Sequence, residues 1–381
     1  MPTPFRPLIP LLLVATACGL PRPAPVVPTQ RDPLAHTRAW VGRIAADVIQ
    51  IQPTTDSGSR RVARTFTFEG QVHTVTVDIP SRVLAGARIP PRVLRSYGSA
   101  ALTDRTARFH VPLIVDPAQE PFFAALLGQL RALRDARGLD RDRYFELMTA
   151  FVQAIPYDYH APAARFPIEV YADGTGDCDE KTRLLAGLAA REGYAVAILA
   201  FDDDNHVALG VRVQHRGFRG GPWAYVETTN AAWVGDPKFD TERIWSGHAL
   251  HEAEVVPVGT GSTVYGADVD VARIAAAREA LSRSIDAGEA TLARAREELQ
   301  RHAATLRRLE SLTQRAADLD AERRAIQAYN EAVKANNAEV ERYNAVVAKQ
   351  RADVTLYNRL LRDAPSRAAV LPEVLARFPR I

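Results

Sequence analysis

The stretch Gly174-Thr175-Gly176-Asp177-Cys178-Asp179-Glu180-Lys181 decides how this chain is read. Glycines precede a cysteine, Asp177 offers an N-cap, and Leu184, Leu185 and Leu188 mark an amphipathic helix from about Cys178 to Arg191. The cysteine therefore opens a helix. A thiol there feels the positive end of the helix dipole and unpaired backbone N–H groups, and both favour the nucleophilic thiolate. Asp177, Asp179 and Glu180 act the other way, because adjacent negative charge disfavours a thiolate. Acids in a first turn are also plain caps, and a small cysteine packed under a helix start needs no chemistry.

A thiol nucleophile needs a base, and the base an orienting group. Downstream, Tyr194–Phe201, His206–Val213 and Trp223–Thr228 read as three strands. His206 opens the second, after Asp202-Asp203-Asp204-Asn205, and Glu227 lies on the third. The other histidines offer less. His215 sits in an Arg/Gly loop, His248 and His251 show a weak metal-like spacing without a third ligand, and His302 falls on a heptad position. His36, His73, His110 and His160 have no evident partner. Upstream, 119–136 and 140–155 have helical periodicity, and 156–176 reads as a loop rich in Pro, Asp and Gly. Helices feeding antiparallel strands make an α+β pattern rather than βαβ.

The order Cys, His, carboxylate on helix, strand, strand resembles the transglutaminase-like superfamily of papain-type thiol enzymes, especially its bacterial envelope members. The matching pieces are Gly176–Lys181, Asn205-His206-Val207-Ala208-Leu209-Gly210-Val211 and Tyr225-Val226-Glu227-Thr228-Thr229; Phe151–Tyr157 is similar to the helix end before the active-site loop. The resemblance covers about residues 116–240. It implies Cys178 as nucleophile, His206 as base and Glu227 as third member, where many relatives carry Asp. It also suggests Gln153 as an oxyanion-hole side chain beside the backbone N–H of Cys178. The implied activity is thiol-dependent acyl transfer on a peptide or isopeptide amide, with hydrolysis expected over cross-linking. Its rival is a catalytically silent binding or scaffolding lipoprotein. One branch, the periplasmic calcium-dependent proteases, is similar in using acids beside the cysteine as Ca²⁺ ligands. Asp177, Asp179 and Glu180 are weak candidates for that role, and no other cofactor is expected.

Before this segment, 36–52 reads as a helix, Thr65–Phe68 and Val72–Ile79 as a β-hairpin around Glu69-Gly70-Gln71, and 106–115 as a further strand. Residues 34–115 are thus expected to form a small α+β accessory domain, and 116–258 the domain bearing the site. Residues 268–361 differ in kind. Ile285, Leu292, Leu299 and Leu306 recur at seven, with Leu281, Ala295 and Leu309 as companions. After a break near 316–322, Ile326, Val333, Val340, Val347, Val354 and Leu361 repeat, with Tyr329, Asn336, Tyr343, Gln350 and Tyr357 three residues later. This argues for a coiled coil whose six aliphatic positions are buried, as an intramolecular hairpin or a self-associating rod. The hairpin is expected to act as a spacer or docking arm, so that a chain cut after Pro257 keeps a folded core.

Residues 1–17 carry Arg6 and an apolar run, Leu8–Ala17, too short to span a bilayer comfortably. Ala15-Thr16-Ala17-Cys18 resembles the bacterial lipobox, which makes Cys18 a lipidation site and 1–18 a signal peptide; ordinary cleavage near Ala17 is the alternative. The proline-rich residues 19–33 then act as a tether. A lipid-anchored protein on the extracytoplasmic face of a bacterial envelope is the expectation. There Cys178, the other of two cysteines, has no disulfide partner left. A charged fraction of 24% and a mean hydropathy of −0.16 exclude a polytopic membrane protein. A net charge of +3 over 381 residues gives no case for a nucleic-acid partner. The expected partners are an envelope protein or peptide substrate and the membrane.

Overall fold

A computed structural model describes residues 32–44, 48–89, 102–159, 164–241, 249–362 and 366–381. Cys18, the leader, nearly all of the proline-rich segment, His160 and His248 lie outside the described residues. The described chain is α+β. It runs α1 (Ala35–Arg43), β1 (Ser59–Phe68), β2 (Gln71–Pro80), α2 (Ser81–Ala87), α3 (Leu102–Val115), α4 (Glu120–Arg137), α5 (Arg141–Gln153), α6 (Pro167–Asp173) and α7 (Cys178–Arg191). Then follow β3 (Val196–Phe201), β4 (His206–Arg212), β5 (Trp223–Val226), the single turn α8 (Lys238–Thr241), β6 (Glu254–Val258), α9 (Asp268–Gln314), α10 (Leu319–Arg362) and α11 (Arg367–Arg377). No described helix is long and apolar enough to cross a membrane.

The sheet behind the site is antiparallel throughout, in the order β5-β4-β3-β6. Every residue of β3 is buried, as an apolar strand covered on both faces must be. β4 pairs with it so that His206 stands opposite Phe201 at the strand ends. β6 was not foreseen. It holds Pro257, which cannot donate to a ladder, and it takes the sheet edge where that is tolerated.

The hairpin β1–β2 forms around Glu69 and Gly70, both at positive φ. Its inner face, with Val62, Phe66, Phe68, Val75, Val77 and Ile79, is buried and packs on α4 and α5. Arg137 and Arg143 grip the Glu69 carboxylate at the tip (2.7 and 2.6 Å). One apolar core runs without interruption from Leu34 through the hairpin and the helices to Ala267.

Two readings are corrected here. Residues 106–115 are not a strand but the last ten residues of α3. An unbroken apolar run such as Val111–Val115 looks the same for a buried strand and a buried helix, and packing against α7 and β6 selects the helix. The supposed loop 156–176 contains α6, whose signals were Pro167 at its first turn and Gly174 at its end (φ +75°). The guanidinium of Arg64 fills the space beside Gly174, where a Cβ would lie 2.4 Å from it. From there it donates to the Tyr171 and Ala172 carbonyls that end α6 (2.9 and 2.8 Å).

α9 and α10 form an antiparallel pair joined by a turn at 315–318. Arg296 meets Tyr343, Ile285 meets Gln350 and Ser284 meets Asp353, so partner numbers rise on one helix as they fall on the other. The face of α10 turned to α9 is the one with Tyr343, Gln350 and Tyr357, together with Asp353, Leu356 and Leu360. Gln350 is admitted by Gly288, where a Cβ would come within 1.9 Å of its Oε1. The aliphatic heptad sits on the flank, with Ile326, Val340 and Leu361 44%, 37% and 48% exposed and Val333, Val347 and Val354 half-buried. Its predicted burial is therefore corrected. A seven-residue repeat identifies a stripe, and the polar-aromatic stripe three residues on won the contact.

At its base the pair is built into the molecule. Trp233, from the segment after β5, is buried with Val271, Ile274, Leu281, Leu356, Leu360 and Val370. Asp236 makes a buried two-point ion pair with Arg278 of α9 (2.7 and 3.0 Å). Arg367 of α11 and Tyr265 converge on Glu146 of α5 (2.7 and 2.6 Å).

Candidate active site

The helix start at α7 is fixed by a reciprocal cap. Asp177 Oδ1 accepts from Glu180 N–H (3.0 Å), and Glu180 Oε2 accepts from Asp177 N–H (3.2 Å). Glu180, fully buried, is also clamped by Arg165 (2.9 and 2.6 Å), which reaches on to the Thr175 carbonyl. Asp179 pairs with the buried Arg183 at 2.8 Å. These contacts hold Cys178 as the first residue of the helix, partly exposed at the surface. Its backbone N–H has no partner among the described residues.

The sulfur lies where the backbone N–H groups of Val207 and Asp179 act on it, one residue from His206. His206 is placed by the preceding Asn205, which takes the left-handed conformation (φ +48°) that asparagine tolerates. Its Nε2 lies 2.8 Å from the hydroxyl of Tyr225. That hydroxyl donates to Glu227 Oε2 at 2.8 Å. The other Glu227 oxygen accepts from Thr229 N–H (2.7 Å) and Thr229 Oγ1 (2.5 Å). All of His206, Tyr225 and Glu227 are buried. The three residues singled out from the sequence thus share one site, with Tyr225 between the second and third.

Burial, then the Asp179 charge, pushes the Cys178 thiol up to about 11. The helix-terminus argument is outweighed here, and the resting sulfur carries its proton. Burial holds His206 below the ordinary imidazole value, against the pull of Glu227 and Asp204. The resting pair is neutral thiol and neutral imidazole. Asp177 is raised by burial and by Asp179, while Arg183 holds Asp179 ionised.

Gln153 is also at the site, but its amide serves the chain. Nε2 donates to the Glu227 and Ala232 carbonyls (2.8 and 3.1 Å), and Oε1 accepts from Ala232 N–H (3.4 Å). It ties the end of α5 to the segment that carries Glu227. Lys181, wholly buried, does similar work: its Nζ donates to Ile155 (2.6 Å), Thr229 (3.2 Å) and Gln153 (3.4 Å) carbonyls. Burial lowers it to about 8.

The acids beside the cysteine do not fit a calcium site. Arg165 and Arg183 already supply the positive charge at Glu180 and Asp179, and Asp177 caps the helix. Among the described residues no group of three or more His, Cys, Asp or Glu side chains is arranged to hold a metal. His251 instead bonds to Asp204 (2.9 Å) and His215 to Asp268 (3.2 Å).

Tyr225, Lys181, Arg165 and Thr229 are the site residues that sequence reasoning gave no role. Tyr225 had a signal: on extended backbone it shares a face with Glu227, two residues on. Arg165 had none, since it lies in a loop and its carboxylate partner is 15 residues away on α7. Comparison of the chain with protein-family models, with curated proteins and with solved structures finds no match in any of the three.

Proposed function

We propose that this protein is a thiol-dependent acyl-transfer enzyme acting on a peptide or isopeptide amide, built on a transglutaminase-like core. The observation that carries the reading is the placement of Cys178 at a helix start beside Val207 N–H, with His206 the residue before Val207 and bonded through Tyr225 to Glu227. Because the Tyr225 hydroxyl donates to Glu227, its oxygen accepts from His206 Nε2–H, leaving Nδ1 as the basic nitrogen. On attack, the Cys178 proton passes to Nδ1 as sulfur bonds to the carbonyl carbon. The carbonyl electron pair moves to oxygen, which Cys178 N–H can receive. Collapse expels the amine, which takes the proton from the imidazolium and leaves a thioester. Water then attacks with His206 again accepting a proton, and releases acid and thiol. Ala15–Cys18 supports a lipid anchor for this enzyme on the outer side of a bacterial membrane.

The silent scaffolding reading is favoured by one observation, the raised thiol. Iodoacetamide labelling of Cys178 against pH separates the two. A thiol near 11 acting alone labels tenfold faster per pH unit from 7 to 10. Assisted by His206, it labels at a nearly constant rate over that range, and His206→Ala restores the steep line. A wild type already on the steep line, unchanged by His206→Ala, overturns the enzyme reading.

A further inference from the structure

After α5 the chain passes the site through Tyr157. Tyr157 bridges Gly176, two residues before Cys178, in parallel fashion. Gly176 N–H donates to Pro156 O (3.1 Å), and Asp158 N–H donates to Gly176 O (3.2 Å). Those bonds use the flanking residues, so the N–H and C=O of Tyr157 face the opposite edge. Among the described residues neither group has a partner. A bare edge of this kind is a template for an added strand.

The same segment carries Tyr157 and Tyr159, 53% and 65% exposed. They are the only Phe, Tyr or Trp side chains that stand exposed among the described residues. They lie two residues apart in the chain. The Tyr157 phenol is raised by burial and then by the charges of Cys178, Asp177, Tyr159 and Asp179. Exposed rings grouped at one place are a binding feature rather than a packing one.

We propose that the open Tyr157 edge and the Tyr157–Tyr159 ring pair bind the acyl side of the substrate as an extended peptide strand bearing an apolar or aromatic side chain. The proposal rests on Cys178 being the nucleophile. Paired N–H and C=O groups on one residue match a peptide backbone, and a sugar or acyl chain offers no such pair. Gly176 and Cys178 are separated by about 7 Å of extended chain, which sets the paired substrate residue one or two positions from the attacked carbonyl.

The test uses three probes on the full chain: iodoacetamide, N-acetyl-Ala-Phe-Ala acyloxymethyl ketone, and the same peptide with each backbone amide methylated in turn. The peptide should label Cys178 faster than iodoacetamide. Methylation at one position should cost about tenfold, the loss of one hydrogen bond. Tyr157→Ala and Tyr159→Ala should each lower the ratio of peptide to iodoacetamide rates several-fold. A peptide no faster than iodoacetamide, or indifference to methylation at every position, overturns the proposal. Failure of the underlying thiol assignment shows separately, as an iodoacetamide rate that His206→Ala leaves untouched.

Discussion

His206 Nε2 and Glu227 Oε2 lie 3.9 Å apart and share no direct hydrogen bond; the Tyr225 hydroxyl stands between them, 2.8 Å from each. Burial and the Glu227 charge hold that phenol well above its ordinary range, so it stays protonated while it links the two. The carboxylate therefore orients the imidazole at one remove.

Tyr225→Phe should preserve the ring packing against Phe201 and Phe239 and remove only the linking oxygen. His206 then loses the acceptor that fixes its tautomer and steadies its charged form. Labelling of Cys178 by a peptide electrophile should fall by about 10- to 100-fold. The acid limb of its pH profile should also move to lower pH, because the imidazolium is less stabilised. An unchanged rate and limb would remove Tyr225 from the site.

Lys181 gives a stability signature with a defined sign. Its folded value of about 8 lies below the ordinary 10.5, so between those limits the unfolded chain binds more protons. Stability from this group therefore rises as pH goes from 8 to 10.5, by at most about 1.4 kcal/mol per pH unit. Lys181→Met should abolish that rise in thermal melts. It should also cost about 3 kcal/mol at pH 7, by leaving buried carbonyls unpaired.

The helical pair is not a detachable spacer, contrary to the expectation from sequence. A cut after Pro257 strips the cover from Trp233, leaves Asp236 without Arg278, and removes Tyr265 from Glu146. That chain should fail to give a cooperative melt. Arg278→Leu alone should cost about 3 to 5 kcal/mol, the penalty of a buried unpaired charge. Deleting only the distal part, 296–343, with a short turn inserted, should leave melting and Cys178 labelling near wild type.

Within the pair, burial reverses the ranking expected from the heptad. Leu360→Ala should cost about 3 kcal/mol, since that side chain is fully enclosed. Val340→Asp, on the flank, should cost under about 1 kcal/mol in a monomer. A larger loss for Val340→Asp, with a melting point that depends on protein concentration, would show the flank covered by a second copy.

Cys18→Ser should move the protein from the membrane fraction to the soluble one, because acyl chains supply the affinity. Retention of the variant at the membrane would count against lipidation at Cys18.

Legibility in the sequence followed the range of the interactions. The α7 start and the order of β3, β4 and β5 were readable because caps and alternation are local. So were the positions of Cys178, His206 and Glu227, each at the start or end of an element. α3 and β6 were not, since an apolar run and a proline-containing run take their form from neighbours distant in sequence. The Tyr225 link and the Arg165–Glu180 clamp depend on side-chain geometry that spacing does not encode. The α10 stripe was seen and turned the wrong way, because only the facing helix, with Gly288 opposite Gln350, decides which stripe lies inward.

The burial of Lys181 also makes the site observable by amine chemistry. The chain has four lysines, Lys181, Lys238, Lys334 and Lys349, of which only Lys181 is wholly enclosed. An amine-selective reagent applied to the folded protein reads the other three. Mass added at Lys181 then clocks how often the enclosure around Glu227 and the α5 end opens. Such a clock runs without substrate, and without knowing what the substrate is.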